Sequence, residues 1–66
     1  MREYVRNKVQ MLREKLGITQ EELAARVGVS RQTIIAIERG NYTPSLLLGL
    51  KIARYFKKSV EEIFTI

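Results

Sequence analysis

Residues Thr19 to Gly40 read TQEELAARVGVSRQTIIAIERG. Two short helical patterns flank Gly28-Val29-Ser30; Ala24 lies four residues before Gly28, and Ile34 and Ile37 lie six and nine after it. Where two helices cross, a large side chain pushes their axes apart, so a small residue such as Ala24 belongs at the crossing. Gly28 can take the left-handed backbone of a tight turn without a Cβ clash. Val29 can plug the core beneath that turn, and Ile34 and Ile37, three apart, can anchor the second helix from below. Taken singly, each position is ordinary helix packing. Together, at this spacing, they predict a helix-turn-helix over residues 19–40, with its second helix held out from the body of the domain.

Working outward, Thr19 and Glu22 form a capping box that opens a helix over Gln20 to Val27. Ser30 caps the next helix, from Arg31 to about Arg39, which stops at Gly40. On the amino-terminal side, Val5, Val9, Leu12 and Leu16 recur at helical steps and predict a first helix from about Tyr4 to Leu16, closed by Gly17. On the other side, Pro44 ends the loop Asn41-Tyr42-Thr43-Pro44. Ser45 then caps a fourth helix to about Lys57, with Leu46, Leu50, Ala53 and Phe56 expected inward, joined by Ile52. Ser59 and Glu62 repeat the capping box and open a short fifth helix through Phe64. The expectation is a single all-α domain, residues 1–66, of five short helices.

Composition narrows the function classes. A chain of 66 residues sits near the lower size limit for independent folding. It has no cysteine, which removes disulfides and zinc-thiolate sites. It also has no His and no Asp, so little remains for catalysis; neither an enzyme nor a metal, cofactor or small-molecule site is expected. No apolar run approaches the ~20 residues of a membrane span, and MREYVRNKVQ has no signal-peptide h-region. A cytoplasmic protein, carried on the nucleoid by DNA binding, is the expectation. Twelve Lys and Arg oppose seven acidic residues, a formal charge of +5. That balance favours a polyanionic partner, against the alternative of a basic but inert surface.

The outward helix is then a candidate DNA reader. With Ile34 and Ile37 buried, Gln32, Ala36 and Arg39 fall opposite, Arg31 and Ile35 border that face, and Thr33 lies on a flank. The amino-terminal end of such a helix enters the major groove, so Arg31 and Gln32 are the candidate base readers. Arg can bind guanine O6 and N7, and Gln can bind adenine N6 and N7. Ala36 allows close approach, and Ile35 either meets a thymine methyl or closes the edge of the core. Thr19, Gln20, Thr33, Arg39, Asn41 and Tyr42 are candidate phosphate contacts, with plain turn chemistry as the alternative for Asn41 and Tyr42. Arg2, Arg6 and Lys8 add positive field or simply form a solvated face.

The stretch LREKLGITQEELAARVGVSRQTIIAIERGNYTPSLLLGLKIARYFKKSVEEIF, residues 12–64, resembles the phage-repressor and Cro-type helix-turn-helix domains of the XRE group. Its most specific portion is VSRQTI-x-x-IE-x-G-x-Y-x-PSL, and it looks closest to the small members that consist of little beyond this domain. The resemblance implies a five-helix, lambda-repressor-like domain that dimerises on a roughly palindromic operator. It places base reading on Arg31, Gln32 and Ala36 and a phosphate contact on Gln20. It also implies a structural ion pair between Arg13 and Glu38, and the helical wheel sets Glu38 near the buried side. Two positions depart from similar sequences. Leu47 stands where an acidic residue is common, and Gly49 stands for alanine, which points to a close backbone approach.

Leu46, Leu47 and Leu48 cannot all face one core, and the chain end is rich in apolar residues. Leu47, Tyr55, Ile63, Phe64 and Ile66 are therefore candidate homodimer contacts, the alternative being that they only close the monomer core. The functional expectation is a homodimeric, sequence-specific repressor of transcription that binds double-stranded DNA. The competing class is an antitoxin that binds both operator DNA and a toxin protein.

Overall fold

Among the described residues, eleven hydrophobic ones form one buried cluster, and the largest fully enclosed side chains in it are Leu23, Ile34, Ile37, Ile52, Ile63 and Val9. The structure, a computed structural model, describes residues 5–66. Around the cluster run, in order, β1 (Arg6–Asn7), α1 (Val9–Leu16), α2 (Gln20–Val27), α3 (Arg31–Glu38), α4 (Leu46–Phe56), α5 (Val60–Ile63) and β2 (Phe64–Thr65). The fold is thus mostly helical, with five helices as expected, and gains a two-stranded sheet that the sequence pattern did not indicate.

α2 and α3 form where local chemistry directs them. Thr19 accepts from the Glu22 amide while Glu22 accepts from the Thr19 amide, at 3.0 and 2.9 Å. Gly28 ends α2 at φ 77°, a left-handed conformation costly for any residue with a Cβ. Ser30 caps α3 by accepting from the Thr33 amide at 3.3 Å. Ala24 is buried in the core, and Val29, in the turn, is partly buried and packs against it.

The first helix starts later than its hydrophobic period suggests. Residues 6–7 are extended and pair antiparallel with the other end of the chain, Arg6 opposite Thr65 and Asn7 opposite Phe64. The Lys8 amide continues the pairing by donating to the Ile63 carbonyl at 3.0 Å, and Asn7 Oδ1 accepts from the Val9 amide at 3.1 Å, opening α1. Backbone bonds to the distant chain end thus replace those that helical turns over residues 5–8 would make. The expected start at Tyr4, and Arg2, lie outside the described residues. Of the expected stripe, Val9 and Leu12 are buried and Val5 is half-buried, but Leu16 is 56% exposed. At the far end, α5 stops at Ile63, and Phe64 belongs to β2 rather than to the helix.

α4 is rotated from its expected orientation. Leu48, Gly49, Ile52 and Ala53 face inward with Phe56 against the core, whereas Leu46 and Leu50 are 74% and 50% exposed. Two small residues, Gly49 and Ala53, form part of the packed face. The nearest neighbour of Gly49 is the edge of Phe64, 4.0 Å from where a Cβ would stand. Hydropathy cannot choose among Leu46, Leu48 and Leu50, and it passes over Gly49, beside which Phe64 of the carboxyl-terminal segment lies. Among the described residues, no helix is long and apolar enough to cross a membrane.

Candidate nucleic-acid interface

Ile34 and Ile37, both 0% exposed, root α3 in the core and determine what it presents. Arg31 and Gln32 are exposed on its first turn. Ile35 and Ala36 are half-buried. Thr33 is half-buried, and its Oγ1 lies 3.1 Å from Ser30 Oγ. Arg39 is exposed at the carboxyl cap, and Asn41 and Tyr42 are exposed in the loop beyond it. That loop starts from a defined geometry: the Asn41 amide donates to the Ala36 carbonyl at 2.9 Å and the Gly40 amide to the Ile37 carbonyl at 3.0 Å. This pair of bonds is the Schellman pattern, which satisfies the last carbonyls of a helix.

At the amino terminus of α2, Thr19 is exposed and Gln20 half-buried. An open groove of about 680 Å³ separates this helix end from α3; Arg13, Thr19, Gln20 and Arg31 line it together with Glu21 and Glu22. Thr19 Oγ accepts from the Glu22 amide. A hydroxyl has one hydrogen left to donate when it accepts, so the cap leaves Thr19 able to serve an anion.

Behind the groove lies a network centred on Glu38. Arg13 grips this carboxylate with two bonds, Nε to Oε2 at 2.7 Å and Nη2 to Oε1 at 3.2 Å. The two side chains are 12% and 3% exposed. Arg13 Nη1 donates to the Ile18 carbonyl at 2.9 Å, tying the α1–α2 connection into the same cluster. Hydrogen bonding to Glu38 raises the Arg13 pKa above its ordinary value against the opposing effect of burial, so the guanidinium remains charged. Gln20 Nε2 also donates to Glu38 Oε1, at 3.0 Å. The expected ion pair is therefore present, but Gln20 joins it, so this glutamine is not a freely solvated side chain.

A second tie escaped the sequence reading. Asn7 Nδ2 donates to the Ile37 carbonyl at 2.9 Å and holds the carboxyl-terminal end of α3 against β1. The signal available was the preference of Asn for helix starts, which the hydrophobic period extending past Asn7 obscured.

The candidate partner surface is only partly accessible. Leu47 is 64% and Ile66 86% exposed. Tyr55 and Phe64 are half-buried and pack on the core, with Tyr55 edge-on to Phe56 at 5.2 Å. Ile63, expected at the same surface, is 0% exposed; it is a core residue with no surface to offer. Leu46 and Leu50, expected inside, are exposed instead.

A helix-turn-helix family model matches residues 9–63. The chain is similar to YgzD of Bacillus subtilis, an uncharacterized HTH-type transcriptional regulator: 52% identity over 60 residues, covering 91% of this chain and 91% of that protein. It is also similar to RstR, a transcriptional repressor of the cryptic phage CTXphi in Vibrio cholerae, at 32% identity over 57 residues, 86% of this chain and 51% of that protein. Among solved structures, the restriction-modification controller protein C.AhdI from Aeromonas hydrophila superposes with a TM-score of 0.77 at 33% identity, covering 83% of each chain. Sequence, fold and the exposed first turn of α3 agree: the chain belongs to the XRE-type helix-turn-helix family of DNA-binding transcriptional regulators.

Proposed function

We propose that the protein represses transcription by binding, as a homodimer, a roughly palindromic operator through α3 in the major groove. The observation that carries this reading is the exposure of Arg31 and Gln32 on the first turn of a helix whose opposite side, Ile34 and Ile37, is fixed in the core. In this reading Arg31 and Gln32 bind base edges, Ala36 allows close approach, and Ile35 touches a thymine methyl with the part of its surface left outside the core. Thr19 and Gln20 hold one phosphate strand; Thr33, on the flank of the first turn of α3, and Arg39, Asn41 and Tyr42, at its far end, hold further phosphates. The similarity to RstR, a transcriptional repressor, supports repression as the outcome.

Dimerisation is supported by the length of the reader. Eight helical residues span about 12 Å, which covers only three or four base pairs. Leu47, Tyr55, Phe64 and Ile66 remain the proposed contacts, and the exposed Leu46 and Leu50 extend them. Selection of bound duplexes from a random pool tests the whole reading. Recovery of a palindrome with half-sites about 10–10.5 base pairs apart, centre to centre, is the expected outcome. Recovery of duplexes with no shared sequence would overturn it.

A further inference from the structure

We propose that Glu38 is a positioning residue for DNA contact: it aims the Gln20 amide at the phosphate backbone, a role beyond holding the fold together with Arg13. This rests on the reading of Gln20 as a phosphate donor. Gln20 is the first residue of α2, and an unrestrained glutamine there would sample many rotamers. It is instead bound through Nε2 to Glu38 Oε1 at 3.0 Å. Glu38 is itself immobilised, with a side chain 3% exposed and gripped by Arg13 at 2.7 and 3.2 Å. Arg13 is held in turn by the Ile18 carbonyl.

Two consequences follow from the chemistry of a carboxylate. It only accepts hydrogen bonds, so it selects the nitrogen end of the Gln20 amide and leaves the second N–H unspent. Gln20 lines the groove it shares with Arg31, so that N–H is available to an anion with its rotamer entropy already lost. A carboxylate near a phosphate path would ordinarily repel DNA; here the Arg13 guanidinium offsets that charge in the same contact. The two roles of Glu38 therefore predict opposite effects on binding. Charge alone predicts that Glu38→Gln, which raises the formal charge from +5 to +6, tightens DNA binding. Positioning predicts that it weakens binding, because an amide has one acceptor oxygen where the carboxylate has two, and the charged Arg13 guanidinium competes with Gln20 for it.

The test is a double-mutant cycle in the full chain, measured on the duplex recovered by selection and at a temperature where circular dichroism shows each variant folded. Glu38→Gln should weaken binding about fivefold, the scale of one hydrogen bond, despite its added positive charge. In the Gln20→Ala background the same change should cost less than about twofold, because the group it positions is gone. Tighter binding, or an equal loss in both backgrounds, would overturn the proposal. Glu38→Asp, which keeps the charge but shortens the reach to Gln20, replaces Glu38→Gln if the latter does not fold. Nuclear magnetic resonance of the free wild-type protein gives an arm without DNA. The two Nε2 hydrogens of Gln20 should differ more in chemical shift and exchange more slowly than those of exposed Gln32; indistinguishable behaviour would overturn the tether. Loss of all duplex affinity in the wild type would instead remove the functional reading itself.

Discussion

Gly49 is buried in the middle of α4, yet a Cβ at that position would stand 4.0 Å from Phe64 Cε2, an ordinary van der Waals distance. The close approach expected there leaves room for a methyl group. Glycine in a helix interior costs about 1 kcal/mol against alanine through its greater freedom when unfolded. Gly49→Ala should therefore raise stability by about 1 kcal/mol, read as a higher denaturant midpoint at unchanged slope. A lower midpoint would mean that Phe64 cannot accommodate the methyl. Arg13 presents the opposite case. Its guanidinium compensates a carboxylate that is 3% exposed, and Arg13→Ala would leave that charge buried without its counterion. The expected loss is about 3–5 kcal/mol in urea unfolding, much more than an exposed ion pair contributes. A loss under about 1 kcal/mol would place the pair in effective contact with water.

At the level of elements, α2 and α5 begin with the same device. Glu22 and Glu62 are held below the usual carboxylate range, first by accepting from the Thr19 and Ser59 backbone amides and then by the cap hydroxyls. A folded pKa below the unfolded one gives stability that is present above the unfolded value and lost as pH falls through the folded one. The melting temperature should hold near neutrality and drop on acidification below the carboxylate range. The double variant Glu22→Gln, Glu62→Gln should show a shallower drop; an equally steep one would assign the acid sensitivity elsewhere. These starts were legible in the sequence because a capping box spans four consecutive residues and needs nothing else. The α2–α3 turn was legible for the same reason, and with it the exposed positions of Arg31 and Gln32. What was not legible depends on residues far apart in the chain. Arg6 and Asn7 are extended, and the Lys8 amide is spent outside the helix, because Thr65, Phe64 and the Ile63 carbonyl offer backbone partners, which no local period can reveal. The inward face of α4 is only partly legible: Ile52, Ala53 and Phe56 pack inward as the pattern indicates, but Leu46, Leu48 and Leu50 are chemically identical, so nothing local marks Leu48 as the buried one, and Gly49 carries no apolar signal at all. Within the site, the Glu38 contact of Gln20 and the Ile37 contact of Asn7 bridge 18 and 30 positions, and the helical wheel of α3 holds neither.

For the whole molecule, the proposed mode of binding ties three quantities together: charge, partner surface and the reach of α3. The formal charge of +5 on each copy supplies affinity for any duplex, whereas operator recognition needs two readers about 34–36 Å apart on successive major grooves. Affinity for the operator should then fall steeply with salt, because each phosphate contact releases a counterion. If the six phosphate-contacting residues share about four phosphates per copy, the dimer makes roughly eight contacts and the log–log slope is near −7. The partner surface makes the slope diagnostic of assembly. Leu47 and Ile66 are 64% and 86% exposed, so the neutral pair Leu47→Gln, Ile66→Gln should leave the stability of each copy almost unchanged. If these residues hold the dimer, sedimentation will show the pair variant as a monomer at concentrations where the wild type is dimeric. A single copy on one half-site would keep about four contacts and a slope near −3.6. A variant that still dimerises and keeps the steep slope would move the interface to another face. A wild type with a flat salt profile would remove the phosphate contacts on which the reading depends.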